Sequence, residues 1–285
     1  MTVGTHVLIG PQALAARLGD ARTRVVDVRH DLMQPDAGLV AWRSGHIPGA
    51  IHLDLDSDLS GPKTGRNGRH PLPDPSVLAH RLGATGIGNS DHVVVYDDAG
   101  GGFAARLWWM LGWLGHDAVS VLDGGWSAWM RAGLPVSTDL PAPSPTTFVA
   151  GKPRPWTVDA SILAAGLADG GMLLVDARAP ERFRGEVEPI DPVAGHIPGA
   201  CNRFMRDNLD SAGCFKPSQV LRAEFETLLD GRPVSELVCQ CGSGVTACHN
   251  LLALSVAGLT GARLYPGSWS EWCSDPSRPV ATGPA

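Results

Sequence analysis

Three short segments of this 285-residue chain occur twice, in the same order. Val25-Val26-Asp27-Val28-Arg29 returns as Leu174-Val175-Asp176-Ala177-Arg178. Gly45-His46-Ile47-Pro48-Gly49-Ala50 returns as Gly195-His196-Ile197-Pro198-Gly199-Ala200. Asp123-Gly124-Gly125-Trp126-Ser127-Ala128-Trp129 returns as Pro266-Gly267-Ser268-Trp269-Ser270-Glu271-Trp272. The offsets are 149, 150 and 143 residues. One such pair is a weak signal; three in one order at nearly one offset mean a duplicated domain. Residues present in both copies read as structural: His46 and His196 in their turns, Arg29 and Arg178 beside their aspartates, and Trp126, Trp129, Trp269 and Trp272 as anchors of each half's last helix.

The length suits two domains, each able to bury its own core. In the first half, helical stretches at 12–18, 75–83 and 104–114 alternate with β-rich runs at 24–28, 51–53, 92–96 and 119–122. The strands carry no polar alternation, as expected where helices cover both faces of a parallel sheet. We expect domains at 1–136 and 156–285. Between them, 137–155 contains Leu140-Pro141-Ala142-Pro143-Ser144-Pro145, too proline-rich for a helix or a central strand.

The halves differ at one strand end. In the second, Leu237-Val238-Cys239 leads into Cys241-Gly242-Ser243-Gly244-Val245-Thr246-Ala247-Cys248, and a helical stretch leads out. A tight turn between strand and helix aims backbone N–H groups at one spot, and the helix start adds positive partial charge. A thiol there, Cys241, is expected to be held as thiolate near neutral pH. Gly242 and Gly244 let the backbone curl; Ser243 and Thr246 offer hydroxyls to the same cup. The first half has Asp97 at the cysteine's place, in Tyr96-Asp97-Asp98-Ala99-Gly100. A carboxylate there carries no sulfur, and Asp97-Asp98 reads as a loop pair capping the helix that follows. The second half is therefore expected to be the catalyst and the first inactive.

The Cys241–Ala247 loop and the repeated turns resemble the two-domain rhodanese-like sulfurtransferases, which include 3-mercaptopyruvate and thiosulfate sulfurtransferases. The resemblance implies an α/β fold of tandem rhodanese-like domains, each a mostly parallel sheet flanked by helices. It is greatest for the mercaptopyruvate branch, because Gly242 and Ser243 stand where thiosulfate-specific members carry basic side chains. It further implies that Asp56 and His70, in Leu53-Asp54-Leu55-Asp56 and Arg69-His70-Pro71, form a relay near Cys241. A protonated histidine would stabilise a thiolate, and the aspartate would orient the imidazole. Arg182 matches the family's substrate-binding arginine, a fork suited to a carboxylate or sulfonate, with the loop residues Gly242, Gly244, Val245 and Thr246 lining the substrate; Arg184 reads as a surface residue. The chain departs from the branch at Glu188-Pro189-Ile190-Asp191, where Ile190 replaces a second arginine.

The implied reaction is a double displacement. A persulfide forms on Cys241 from 3-mercaptopyruvate or thiosulfate and passes to cyanide, a thiol or thioredoxin. No metal or organic cofactor is called for. The rivals are a thiosulfate:cyanide sulfurtransferase, a non-catalytic sulfur carrier, and phosphatase-like anion chemistry; the last lacks the arginine that would close its loop, having Ala247 and Cys248 there. The net charge of −6 argues against a general nucleic-acid binder. Met1 to Pro11 has no basic stretch before a sustained apolar run, and the run at 107–114 is too short to span a membrane, so a cytoplasmic protein is expected. All six cysteines lie in the second half, unlike a disulfide scaffold, and none form a zinc pattern. Cys201, Cys214 and Cys273 read as buried apolar residues. Cys239 shares a strand face with Cys241 and could switch with it under oxidation; Cys248, two helical turns on, is poorly placed to pair with it.

Overall fold

A computed structural model describes residues 7–284. The segment from which no leader is expected, Met1 to Pro11, lies mostly outside the described residues. The first half runs β1 (Leu8–Ile9), α1 (Pro11–Ala15), β2 (Thr23–Asp27), α2 (Ala37–Ser44), β3 (Ile51–His52), α3 (Pro75–Ala84), β4 (His92–Tyr96), α4 (Ala104–Trp113), β5 (Val119–Leu122) and α5 (Gly125–Arg131). The second runs α6 (Ala160–Ala168), β6 (Leu173–Asp176), α7 (Pro180–Phe183), β7 (Ala200–Asn202), α8 (Ser218–Leu229), β8 (Leu237–Gln240), α9 (Ala247–Val256), β9 (Arg263–Leu264) and α10 (Ser268–Trp272). The sheet orders are β1-β5-β4-β2-β3 and β7-β6-β8-β9. All the strand pairs are parallel.

Parallel strands bury both faces, and β5 and β8 are buried along their whole length. The repeated arginines act as expected. Arg29 forks onto Asp27 and donates to the Gly45 carbonyl; Arg178 does the same with Asp176 and Gly195. Each copy thereby clips a strand end to the histidine turn. His46 bonds the Trp42 and Asp139 carbonyls, and His196 bonds the Phe183 carbonyl, so both are structural.

The largest hydrophobic cluster runs through both halves, beside a smaller one within each. Every residue of α4 is buried, because α4 is covered by its own sheet on one side and by α9 on the other. Residues 137–155 form no helix or strand apart from an isolated bridge at Ser137 and run strapped to the first half. The Thr146 amide bonds the Gly83 carbonyl, and the Gly151 amide bonds Leu114. No described helix is long and apolar enough to cross a membrane.

Candidate active site

Cys241 follows the last residue of β8, at the carboxyl end of the sheet, where ligands bind in such folds. It is 1% exposed. The thiol sulfur accepts the Gly244 N–H at 3.2 Å. The Cys241 carbonyl accepts from Trp269, and its own N–H donates to Ser268 Oγ at 3.1 Å. Gly244 sits at φ +76°, and a Cβ there would lie 2.2 Å from the Pro266 carbonyl oxygen, so only glycine fits. The amides of Ser243, Val245, Thr246 and Ala247 have no acceptor among the described residues. Val245 is buried in the core. Thr246 is the N-cap of α9 but its side chain makes no capping bond, so only Ser243 of the two expected hydroxyls is engaged.

The wall facing this loop comes from the first half. The Arg69 amide donates to Ser270 Oγ of α10 at 3.0 Å, laying the segment beside the Cys241 loop. His70 Nδ1 lies 2.7 Å from Ser243 Oγ, and its Nε2 lies 3.6 Å from Asp56 Oδ1. Burial, with Arg106 and Arg69 nearby, pushes the imidazole down to about 3 despite Asp56. It is neutral at pH 7. With its proton on Nε2 toward Asp56, Nδ1 accepts the Ser243 hydroxyl. The lowered basicity argues against the expected imidazolium paired with the thiolate, and the His70 hydrogen bond goes to Ser243. Asp56 also holds Lys63 Nζ at 2.7 Å and lies 3.9 Å from His30 Nε2.

Arg182 stands at the mouth, but not free. It donates to Glu188 at 2.6 Å and lies 3.5 Å from Asp191. Arg69 pairs with the other Asp191 oxygen. A Cβ built on Gly242 would be 3.0 Å from Arg69 Nη2 and 3.7 Å from both Arg182 terminal nitrogens. Two guanidinium groups thus flank Gly242, although Ile190 is not one of them. Burial raises the Asp191 carboxyl, with Arg69 opposing. Arg184 pairs with Glu186 on the surface, as expected.

Arg106, on α4, is fully buried beneath the loop. It donates to the Gly244 and His70 carbonyls, each at 3.0 Å, and so ties the Cys241 loop to its facing wall. Its Nε has no hydrogen-bond partner among the described residues, and burial lowers its basicity. Sequence reasoning missed Arg69, Arg106, His30 and Ser268. Arg69 and Ser268 lie inside segments already singled out. Arg106 had one signal, a charge inside an otherwise apolar helix, Ala104-Ala105-Arg106-Leu107-Trp108.

In the first half Asp97 follows β4 as Cys241 follows β8, and its carbonyl accepts from Trp126 as that of Cys241 does from Trp269. The Asp97 carboxylate takes the amides of Ala99, Gly101, Phe103 and Ala104 at 2.8–2.9 Å. Burial raises its carboxyl against those four donors. The helix-capping reading agrees with this geometry. All six cysteines are free thiols. Burial raises Cys239, and raises Cys248 to about 12, so both are inert thiols. No cluster of described residues could hold a metal ion.

The rhodanese-like domain profile matches residues 10–132 and 159–275. A Pseudomonas aeruginosa protein named "Probable 3-mercaptopyruvate sulfurtransferase" is 53% identical over 97% of this chain and 98% of its own length. Human 3-mercaptopyruvate sulfurtransferase is 40% identical over 80% of this chain and 76% of its own. Among solved structures, SseA from Escherichia coli, a 3-mercaptopyruvate sulfotransferase, superposes with TM-score 0.80 at 30% identity, covering 93% of this chain and 99% of that one.

Proposed function

The chain belongs to the rhodanese-like sulfurtransferases, and from that premise we propose that it moves sulfur from 3-mercaptopyruvate through a persulfide on Cys241, with the first half inactive in its own right. The observation that carries this donor is the Asp56–His70–Ser243 line, closed by the 2.7 Å contact between His70 and Ser243 beside the thiol. The Cys241 thiolate attacks the donor sulfur. An S–S bond forms, the C–S bond breaks, and its electron pair leaves as pyruvate enolate. That enolate needs a proton on carbon. The Ser243 hydroxyl, oriented by His70 and Asp56, hands it to the carbon and takes a replacement proton from water. Arg182 and Arg69 hold the donor carboxylate, taking over from Glu188 and Asp191. The loop amides and Gly242, Gly244, Val245 and Thr246 surround the persulfide and stabilise its charge. A thiol, thioredoxin or cyanide then removes the outer sulfur. The setting is cytoplasmic, where thiol acceptors are abundant.

Thiosulfate is the second donor, favoured by the two guanidinium groups at the mouth, which would stabilise departing sulfite. Steady-state transfer to cyanide separates the two. We expect kcat/KM for 3-mercaptopyruvate to exceed that for thiosulfate by about tenfold or more, a difference of about 1.4 kcal/mol. Cys241→Ser should abolish both. A thiosulfate preference would overturn the donor assignment, and activity in Cys241→Ser would overturn the chemistry.

A further inference from the structure

Ser268 has a backbone that its residue type disfavours. It sits at φ +54°, in the left-handed region, and is fully buried at the start of α10. Asp230, the other described non-glycine residue there, merely closes α8, where that conformation is common. The duplication supplies an internal control. The matching position in the first half, one residue before the tryptophan whose amide bonds the loop carbonyl, is Gly125 at φ +55°. A Cβ there would lie 2.4 Å from the Asp97 carbonyl oxygen. The turn asks for glycine, and the inactive half has it. The half with the nucleophile has serine.

What serine adds is a hydroxyl. Its Oγ accepts the Cys241 N–H at 3.1 Å and donates to the Tyr265 carbonyl at 2.9 Å. Trp269 holds the Cys241 carbonyl at 3.0 Å. Two consecutive residues therefore grip both backbone groups of the nucleophile, and the sulfur is left to meet the Gly244 amide. We propose that Ser268 is a positioning residue for sulfur transfer: its hydroxyl fixes the Cys241 peptide so that the sulfur stands at the angle of attack, and the left-handed conformation is kept for that hydroxyl. This rests on Cys241 being the nucleophile. Nothing else in the turn needs a side chain, because the first half makes the same turn without one.

Two variants separate positioning from stability. Ser268→Gly removes the acceptor and relieves the backbone; Ser268→Ala removes the acceptor and keeps the strain. If the serine were only structural, activity would follow stability and Ser268→Gly would stay active. We expect both variants to lose about tenfold or more in the single-turnover rate of persulfide formation, read by intact mass, with KM unchanged. We expect Ser268→Gly to melt above Ser268→Ala and close to wild type. A Ser268→Gly enzyme that loads sulfur as fast as wild type overturns the proposal alone. Wild type that leaves Cys241 unloaded, or Cys241→Ser that still transfers sulfur, overturns the nucleophile and this proposal with it.

Discussion

The roles of single residues here are set by what each one is denied. His70 is denied a charge by burial, so it shares a hydrogen bond with Ser243 instead of pairing with sulfur. A role in carbon protonation makes its loss donor-dependent. His70→Asn and Ser243→Ala should lower kcat with 3-mercaptopyruvate by about a hundredfold, while thiosulfate turnover, which needs no carbon protonated, falls far less. Equal losses with both donors would remove the relay from the mechanism. Asp191 is denied solvent and leans on Arg69 and Arg182. If the donor carboxylate displaces it, Asp191→Asn should lower KM, and Arg182→Met should raise it by about tenfold or more. Cys241 and Ser243 could be proposed from the strand–loop–helix motif, and His70 only from the family resemblance. The neutral state of His70 was not legible, since it comes from burial under residues distant in sequence, Arg106 among them.

Among the elements, the strand-to-helix loop shows how much of a fold local sequence encodes. The ranges of β4 and β5 were readable to the residue, because β-branched runs between polar ends leave little choice. α2 and β1 were not: β1 is two residues long and exists only by pairing with β5, and α2 lacks a side-chain cap. The first-half loop is held by one side chain, Asp97, whose loss would strand four amides. Asp97→Ala should cost about 3 kcal/mol, seen as a drop in melting temperature without loss of sulfur transfer beyond that caused by unfolding. In the second half, Gly244→Ala should be at least as damaging, because its Cβ would run into Pro266.

Taken whole, the two halves meet along a seam that carries the candidate active site, with α4 against α9 and Arg106 bridging the loop to its wall. Buried histidines should make that seam acid-sensitive. Burial lowers His70 to about 3 and His249 to about 4, the latter donating from Nε2 to the Gly100 carbonyl across the seam. A histidine depressed in the folded state contributes stability above its unfolded value of about 6.5. The unfolded chain binds the proton first, so that stability drains as pH falls from about 6.5 toward 4. Denaturant titrations over that range should show one transition weakening steadily, and His249→Gln should flatten the slope. The α4–α9 part of the seam was invisible in sequence, because its contacts join residues more than a hundred positions apart; its Asp56–His70 side was implied only by the family resemblance. The Asp97 loop has a last consequence: the chain contains its own picture of a loaded site, with a tethered carboxyl group seated among the first half's counterparts of the amides that an incoming sulfur would use. Copying that picture across should freeze the second half in its occupied state. Cys241→Asp should be dead as a catalyst yet melt above Cys241→Ala, and a lower melting point would mean the two cradles are no longer alike.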